Sequence, residues 1–370
     1  MSSRGVDREP PTTPNEQVLF AAGTHGYAAF RIPALVTSGT HVLAFCEGRR
    51  DSAGDTGRID LVVRHSPDSG ATWGPLTVVT RRPDHTTGNP MPFVTATGEI
   101  VLLTMTNGAS VHESELMRPG VPEGDRRRVW VQHAPGPGQP FGPPVEVTDQ
   151  VRRSDWGWFA TGPGHGLTLA HGPERGRLIA ACTHSILAAA PGDHSYGGHL
   201  MLSDDGGHTW RVGAVDSTAR PAGAALNPNE ATAAELPDGV VYVNARNQAS
   251  AGGRLGAWSD DGGESLRAPF RPHPDLPVPA VQGSVLANGS GTLWLSTPGH
   301  PDERRDVTLW RSDDSGAAWR RGPVLHAGPG AYSDLALLAD GTPAALVEAG
   351  SGSAYESIRF IHPTRTEGIQ

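Results

Sequence analysis

The sequence predicts an all-β fold, a single six-bladed β-propeller whose ring is closed by its N- and C-terminal strands. Three observations predict it. A turn motif, Ser-x-Asp-x-Gly-x-Thr-Trp, recurs along the chain. Strand-like runs fill the intervals between its copies in a constant order. Gly and Pro, at 48 and 33 of 370 residues, suit many short strands joined by many turns.

The turn is clear at Ser66-Pro67-Asp68-Ser69-Gly70-Ala71-Thr72-Trp73 and at Ser203-Asp204-Asp205-Gly206-Gly207-His208-Thr209-Trp210. The copy from Ser259 to Leu266 loses the tryptophan, and the copy from Ser312 to Trp319 loses the threonine. An eroded copy, Ala134 to Phe141, keeps the second glycine and a final aromatic. Starts at 66, 134, 203, 259 and 312 give intervals of 68, 69, 56 and 53 residues. In such a turn Ser and Asp side chains bond the turn's own amides, Gly supplies positive φ, and Trp covers the turn. Repetition at this period signals a repeat architecture, in which each unit adds its own slice of core.

In the first interval, Phe30–Val36, His41–Cys46, Ile59–His65 and Leu76–Thr80 read as four strands, the third running into the turn. The order recurs over 89–148, 163–215, 228–272 and 280–325. The segment from Tyr332 to His362 supplies three strands, and Gln17–Ala22 completes the sixth blade. The propeller is expected over 16–363, between a flexible segment, 1–15, and a tail, 364–370. A β-sandwich would not explain the even turn spacing.

A formal net charge of -9 leaves no basic excess for neutralising nucleic-acid phosphates or an anionic membrane. Cys46 and Cys182 lie in apolar runs and read as buried free thiols. Asp193, His194 and His199 match no zinc spacing. No apolar stretch approaches a membrane span, and the polar start of the chain has no signal core. A cytoplasmic location follows from the sequence at face value, with secretion the alternative if a leader precedes Met1. A monomer is expected.

The repeated turn also orients every strand. It joins the third and fourth strands at one end of each blade, the bottom. The start of the first strand and the loop between the second and third therefore lie at the top. Arg31, Asp55, Glu230, Arg246, Arg304, Tyr332 and Glu348 all fall there, from four blades. Met91, Trp156, Trp158, His165 and Gln282 belong to the same rim. One charged residue at a strand end is ordinarily solvated. Three arginines, three carboxylates and a tyrosine on one rim, where propellers carry function, are a constellation.

With these residues in place, the chain resembles the bacterial-type exo-sialidases, or neuraminidases. The resemblance runs from about Phe20 to His362. It rests on Phe30-Arg31-Ile32-Pro33, the repeated turns (Asp boxes), Trp158–Gly164, Asn229-Glu230, Asn244-Ala245-Arg246, Arg304-x-Asp306-x-Thr308 and Tyr332-Ser333-Asp334. It implies that Arg31, Arg246 and Arg304 grip the substrate carboxylate, with Arg305 the alternative to Arg304. The spacing to Asp306 and Thr308 favours Arg304. It also implies that Tyr332 is the nucleophile, Glu230 its base and Asp55 the general acid/base. Glu348 would hold Arg31. Arg49 or Arg50, with Asp51, would line the pocket, and Met91 and Gln282 would join the substrate-binding rim.

The implied reaction is a retaining hydrolysis of terminal sialic acid from glycoconjugates, with no metal or cofactor. Guanidinium groups suit a carboxylate because each gives two parallel charge-assisted bonds. A neutral phenol avoids the repulsion between a carboxylate nucleophile and the substrate's own carboxylate. Free tyrosine, with a pKa near ~10, needs a base at neutral pH. Asp55 must be protonated to assist the leaving oxygen, which requires a pKa raised by burial or by substrate-bound desolvation. Two other readings stay open. One is a hydrolase of a related 2-keto acid sugar, distinguished by a pocket built from 107–128 and 184–198. The other is a non-catalytic carbohydrate-binding propeller. A trans-sialidase is disfavoured, since no added lectin domain is present.

Overall fold

The structure, a computed structural model, describes residues 15–187, 196–216, 226–249 and 253–362. The loop residues Asp193 and His194 and the segments 1–14 and 363–370 lie outside the described residues.

The strands fall into six antiparallel meanders. The first is Ala29–Ser38, His41–Arg49, Ile59–Ser66 and Thr77–Thr80. The second is His85–Val94, Ile100–Gly108, Arg128–Ala134 and Val145–Glu146. The third is Trp156–Thr161, Leu178–Ile186, Tyr196–Ser203 and Arg211–Val215. The fourth is Pro228–Glu235, Val241–Asn247, Arg254–Ser259 and Arg271–His273. The fifth is Ser284–Ala287, Leu293–Pro298, Arg305–Ser312 and the first half of the long strand Arg320–Leu337. The sixth takes the second half of that strand, then Pro343–Ala349, Ser357–His362 and finally Asn15–Ala21, which pairs antiparallel with Ser357–His362.

The inner strands are buried on both faces, as His41–Arg49 illustrates with eight consecutive buried residues, apolar from Val42 to Cys46. Such strands must be covered on both sides. Each large apolar cluster joins two neighbouring meanders. Phe45 and Leu102 link the first and second, Phe93 and Met201 the second and third, and Leu200 and Val243 the third and fourth. Tyr242 and Trp310 link the fourth and fifth, Leu309 and Val347 the fifth and sixth, and Phe360 and Val62 the sixth and first. Cys46 and Cys182 are free thiols buried in two of these clusters.

The repeated turns close on themselves. Ser66 Oγ accepts from Gly70 N at 2.9 Å and donates to Asp68 Oδ1 at 2.8 Å, and Asp68 takes the Thr72 amide and hydroxyl. Trp73 Nε1 donates to Gly70 O at 3.1 Å. The copy at Ser203 repeats all five bonds. The copy at Ser312 keeps the backbone bond from Ala318 N to Asp314 Oδ1, so losing the threonine removes only a side-chain bond. Each turn's second glycine presses on the preceding meander. A Cβ on Gly207 would stand 2.6 Å from Val101, one on Gly316 2.8 Å from Tyr242, and one on Gly70 would run into the Phe360 ring. That last contact joins the first meander to the sixth.

A second repeat lies at the opposite end of the first strands. In five of them, two residues stand opposite one on the second strand: Ile32-Pro33, Asn89-Pro90, Gly157-Trp158, Asn229-Glu230 and Ala331-Tyr332. These are β-bulges, which bend a strand and re-aim its side chains. Ile32 and Asn89 take positive φ, 60° and 51°, inside theirs.

Candidate active site

All five bulges open onto one cavity of about 390 Å³, to which they contribute Ile32, Asn89, Trp158, Glu230 and Tyr332. Arg31, Arg49, Asp55, Arg246 and Arg304 share its wall. Six of the seven rim residues picked out by strand direction thus line one cavity, and the seventh, Glu348, lies directly beneath, against Arg31.

Tyr332 Oη donates to Glu230 Oε1 at 2.5 Å. Arg246 Nη1 reaches Glu230 Oε2 at 2.8 Å and Tyr332 Oη at 3.2 Å. Burial, then the charge of Glu230, raises the Tyr332 pKa, so the phenol is neutral. Burial opposes the charge on Arg246, but Glu230 and then Tyr332 outweigh it and the pKa rises.

Arg31 is held from below by Glu348, which is fully buried. Arg31 Nε lies 3.2 Å from Glu348 Oε1 and Nη2 3.4 Å from Oε2. Glu348 also accepts from Ile32 N at 2.9 Å and Tyr332 N at 3.3 Å, tying both bulges to one carboxylate. The Arg31 guanidinium lies 5.1 Å from the Tyr332 ring centroid and 4.4 Å from that of Tyr355. Burial disfavours its charge, but Glu348 and then Tyr332 more than offset this and raise its pKa.

Arg304 is 5.9 Å from the Tyr332 ring centroid and donates to Tyr355 Oη at 3.1 Å and Ala280 O at 3.3 Å. Arg305 points outward to Glu303 and Asp306, 46% exposed. Of the two, Arg304, which precedes the strand Arg305–Ser312, is the one that lines the cavity.

Asp55 stands at the cavity mouth with its side chain 70% exposed, 2.8 Å from Arg49 Nη1 and 3.2 Å from Arg31 Nη1. In the free protein burial does not leave its pKa raised. Desolvation pushes it up, but Arg49 and then Arg31 overcome that and lower it. Arg49 itself is clamped by Glu47 at 2.7 Å.

Four other expected lining residues lie elsewhere. Arg50 turns away to Asp60 at 2.7 Å, the opposite direction to Arg49 along the strand end. Asp51 is exposed and paired with Arg58 at 2.5 Å. Met91 follows its bulge and faces the core beside Phe93 and Phe159. Gln282 is buried, its Nε2 donating to Pro163 O and its Oε1 accepting from Ser333 N, both at 3.1 Å. Of the remaining rim residues, Trp156 is buried against His184 at 4.2 Å. His165 is bound to Asp334 at 2.8 Å, on a carboxylate that also accepts from Leu35 N and Ser284 Oγ.

Several lining residues escaped the sequence reading. Glu47 ends its second strand as Arg246 and Glu348 end theirs, so the same rule could have found it. Glu113, which burial pushes up in pKa, accepts from Tyr196 Oη at 2.6 Å. Arg127 donates to Asn89, Asn107 and Phe159 O. Part of 107–128, including His112, Glu113, Met117 and Arg127, lines the cavity, as does Tyr196 of the second expected loop, of which 188–195 lie outside the described residues. Their individual roles left no periodic signal, because they come from an irregular loop.

The comparisons with known proteins agree with this geometry. A family described as a BNR repeat-like domain matches residues 40–344. The chain is 31% identical over 362 residues to a sialidase of Micromonospora viridifaciens, covering 93% of this chain but only 54% of that protein. It is 30% identical to an exo-alpha-sialidase of Aspergillus fumigatus, covering 91% of this chain and 83% of that one. The solved Hadza microbial sialidase Hz136 superposes with a TM-score of 0.82 at 25% identity, over 96% of this chain and 69% of that one. The chain therefore spans about half the length of the first of these relatives and most of the second. From the repeat, the cavity and these likenesses together, the chain belongs to the sialidase family.

Proposed function

We propose that this chain is a retaining exo-α-sialidase, releasing terminal sialic acid from glycoconjugates through a covalent glycosyl-tyrosine. The observation that carries the reading is the Tyr332–Glu230–Arg246 contact, flanked by Arg31 and Arg304 around the same phenol ring.

The substrate carboxylate would sit among the three guanidinium groups. Tyr332 Oη would attack the anomeric carbon as Glu230 takes its proton, and Asp55 would protonate the departing glycosidic oxygen. Water, deprotonated by Asp55, would then attack the same carbon and free Tyr332, with Glu230 returning the proton. Two displacements at one centre retain configuration; a tyrosine nucleophile is the known exception to the two-carboxylate scheme. The low pKa of Asp55 in the free protein is compatible with this course. A bound carboxylate would compete for Arg31, weaken the pair and raise the Asp55 pKa as water leaves.

The same proposal takes the six meanders as blades of one closed propeller over 16–363. The apolar clusters that link each meander to the next, the sixth to the first included, support it. Among the described residues no helix is long and apolar enough to cross a membrane.

The test is Tyr332→Phe assayed on an aryl sialoside. The expected result is loss of ordinary turnover with the fold retained; near wild-type turnover would sink the assignment. Mass labelling of Tyr332 by a fluorinated acid sugar tests the intermediate. Aryl glycosides of deaminated and shorter 2-keto acid sugars, assayed in parallel, separate the substrate classes. Binding without turnover would favour a carbohydrate-binding propeller.

A further inference from the structure

A second cavity, of about 180 Å³, lies behind the segment 116–127 and shares Leu116 and Arg127 with the first. Five arginines line it: Arg118, Arg126, Arg127, Arg152 and Arg153. Among the described residues that line it there is no carboxylate, in a chain whose formal net charge is -9. Such clustering costs free energy by like-charge repulsion unless an anion joins it.

The charges are poorly compensated. Glu123, outside the cavity lining, is shared by Arg126 at 3.4 Å and Arg152 at 3.3 Å, and also lies 3.8 Å from Arg128. Among the described residues, no carboxylate lies within ion-pair distance of Arg118 or Arg153. Arg127 is the unusual one. It is 7% exposed, yet its three acceptors are neutral: Phe159 O, Asn107 Oδ1 and Asn89 Oδ1. Burial lowers its pKa to about 10, so it stays charged at neutral pH without a carboxylate partner in contact. Trp156 and Phe159 add an apolar wall. Guanidinium forks around a small pocket suit an oxyanion, which accepts paired bonds from each.

We propose that this cavity is an oxyanion-binding subsite, separate from the candidate active site and divided from it by Leu116 and Arg127. Its ligand is a sulfate, phosphate or carboxylate group, carried either by a second acidic residue of the glycan or as a free ion.

The test compares the wild-type chain with the double variant R118A/R153A, whose replaced side chains are exposed and lie outside the first cavity. Tm is followed as sodium sulfate replaces sodium chloride at constant ionic strength. Sulfate's exclusion from protein surfaces stabilises both chains alike, so the readout is the difference between them. The expected result is an added, saturable rise in the wild type, with the half-saturating sulfate concentration raised about tenfold or more in the variant. A second arm measures kcat/KM on monosialylated and disialylated oligosaccharides. A several-fold loss confined to the disialylated substrate assigns the ligand to the glycan; a loss of the sulfate effect alone assigns it to a free ion. Parallel sulfate curves together with equal kcat/KM ratios overturn the proposal. The sulfate arm does not depend on catalysis, so an inactive wild type would count against the sialidase activity and leave the subsite tested.

Discussion

Tyr332 and Glu230, 102 residues apart, meet through a 2.5 Å bond in which the phenol donates and the carboxylate accepts. Both are bulge residues of first strands, so the same backbone irregularity delivers the proposed nucleophile and its proposed base. Glu230→Gln keeps the shape but cannot take the proton. A loss of about 10²–10⁴ in kcat is expected on an aryl sialoside, with Tm little changed. A loss below tenfold would remove Glu230 from the base role.

Arg49 and Arg31 depress the Asp55 pKa, so removing one of these cations must raise it. Arg49→Gln should move the alkaline limb of kcat/KM to higher pH, because protonated Asp55 persists further. The pH profile of the variant checks this, and a shift toward lower pH contradicts the ion-pair account. The sign for stability is opposite. A depressed folded pKa means that the pair's contribution is present above the ordinary carboxylate pKa and is lost as pH falls through the folded value.

Glu348 is fully buried and compensates Arg31 while accepting two backbone amides. Glu348→Ala leaves two buried amides without partners and the buried Arg31 guanidinium with only the exposed Asp55 carboxylate beside it. A destabilisation of about 3–5 kcal/mol is expected in urea unfolding, with a raised KM for the acid sugar. Wild-type stability would mean that Arg31 finds another partner.

Gly70 has φ +88°, and a Cβ there would meet the Phe360 ring. Gly70→Ala should cost roughly 1–3 kcal/mol by overpacking at the contact between first and sixth meanders, while KM stays unchanged because the turn is remote from the cavity. An altered KM with unaltered stability would contradict that separation.

The sequence alone determined the repeat and the direction of each strand. The turn motif is local: its serine, aspartate and glycines bond within five residues of one another, so the pattern survives in the one-dimensional text. Strand direction then followed by alternation, and it placed Arg31, Asp55, Glu230, Arg246, Arg304, Tyr332 and Glu348 at one end. Tertiary structure decided which side chains face the cavity. Met91 and Gln282 have the right end of the strand but face inward, and Arg50 and Asp51 turn to Asp60 and Arg58. The spacing to Asp306 and Thr308 already favoured Arg304 over Arg305; the structure adds that Arg304 lies beside the Tyr332 ring while Arg305 pairs with Glu303 and Asp306 at the surface. In the free protein the Asp55 pKa is lowered because two arginines meet one carboxylate, a contact set by the ends of Ala29–Ser38 and His41–Arg49 and illegible in the sequence. Position along a strand is encoded locally, whereas facing and charge balance belong to the neighbours that packing supplies.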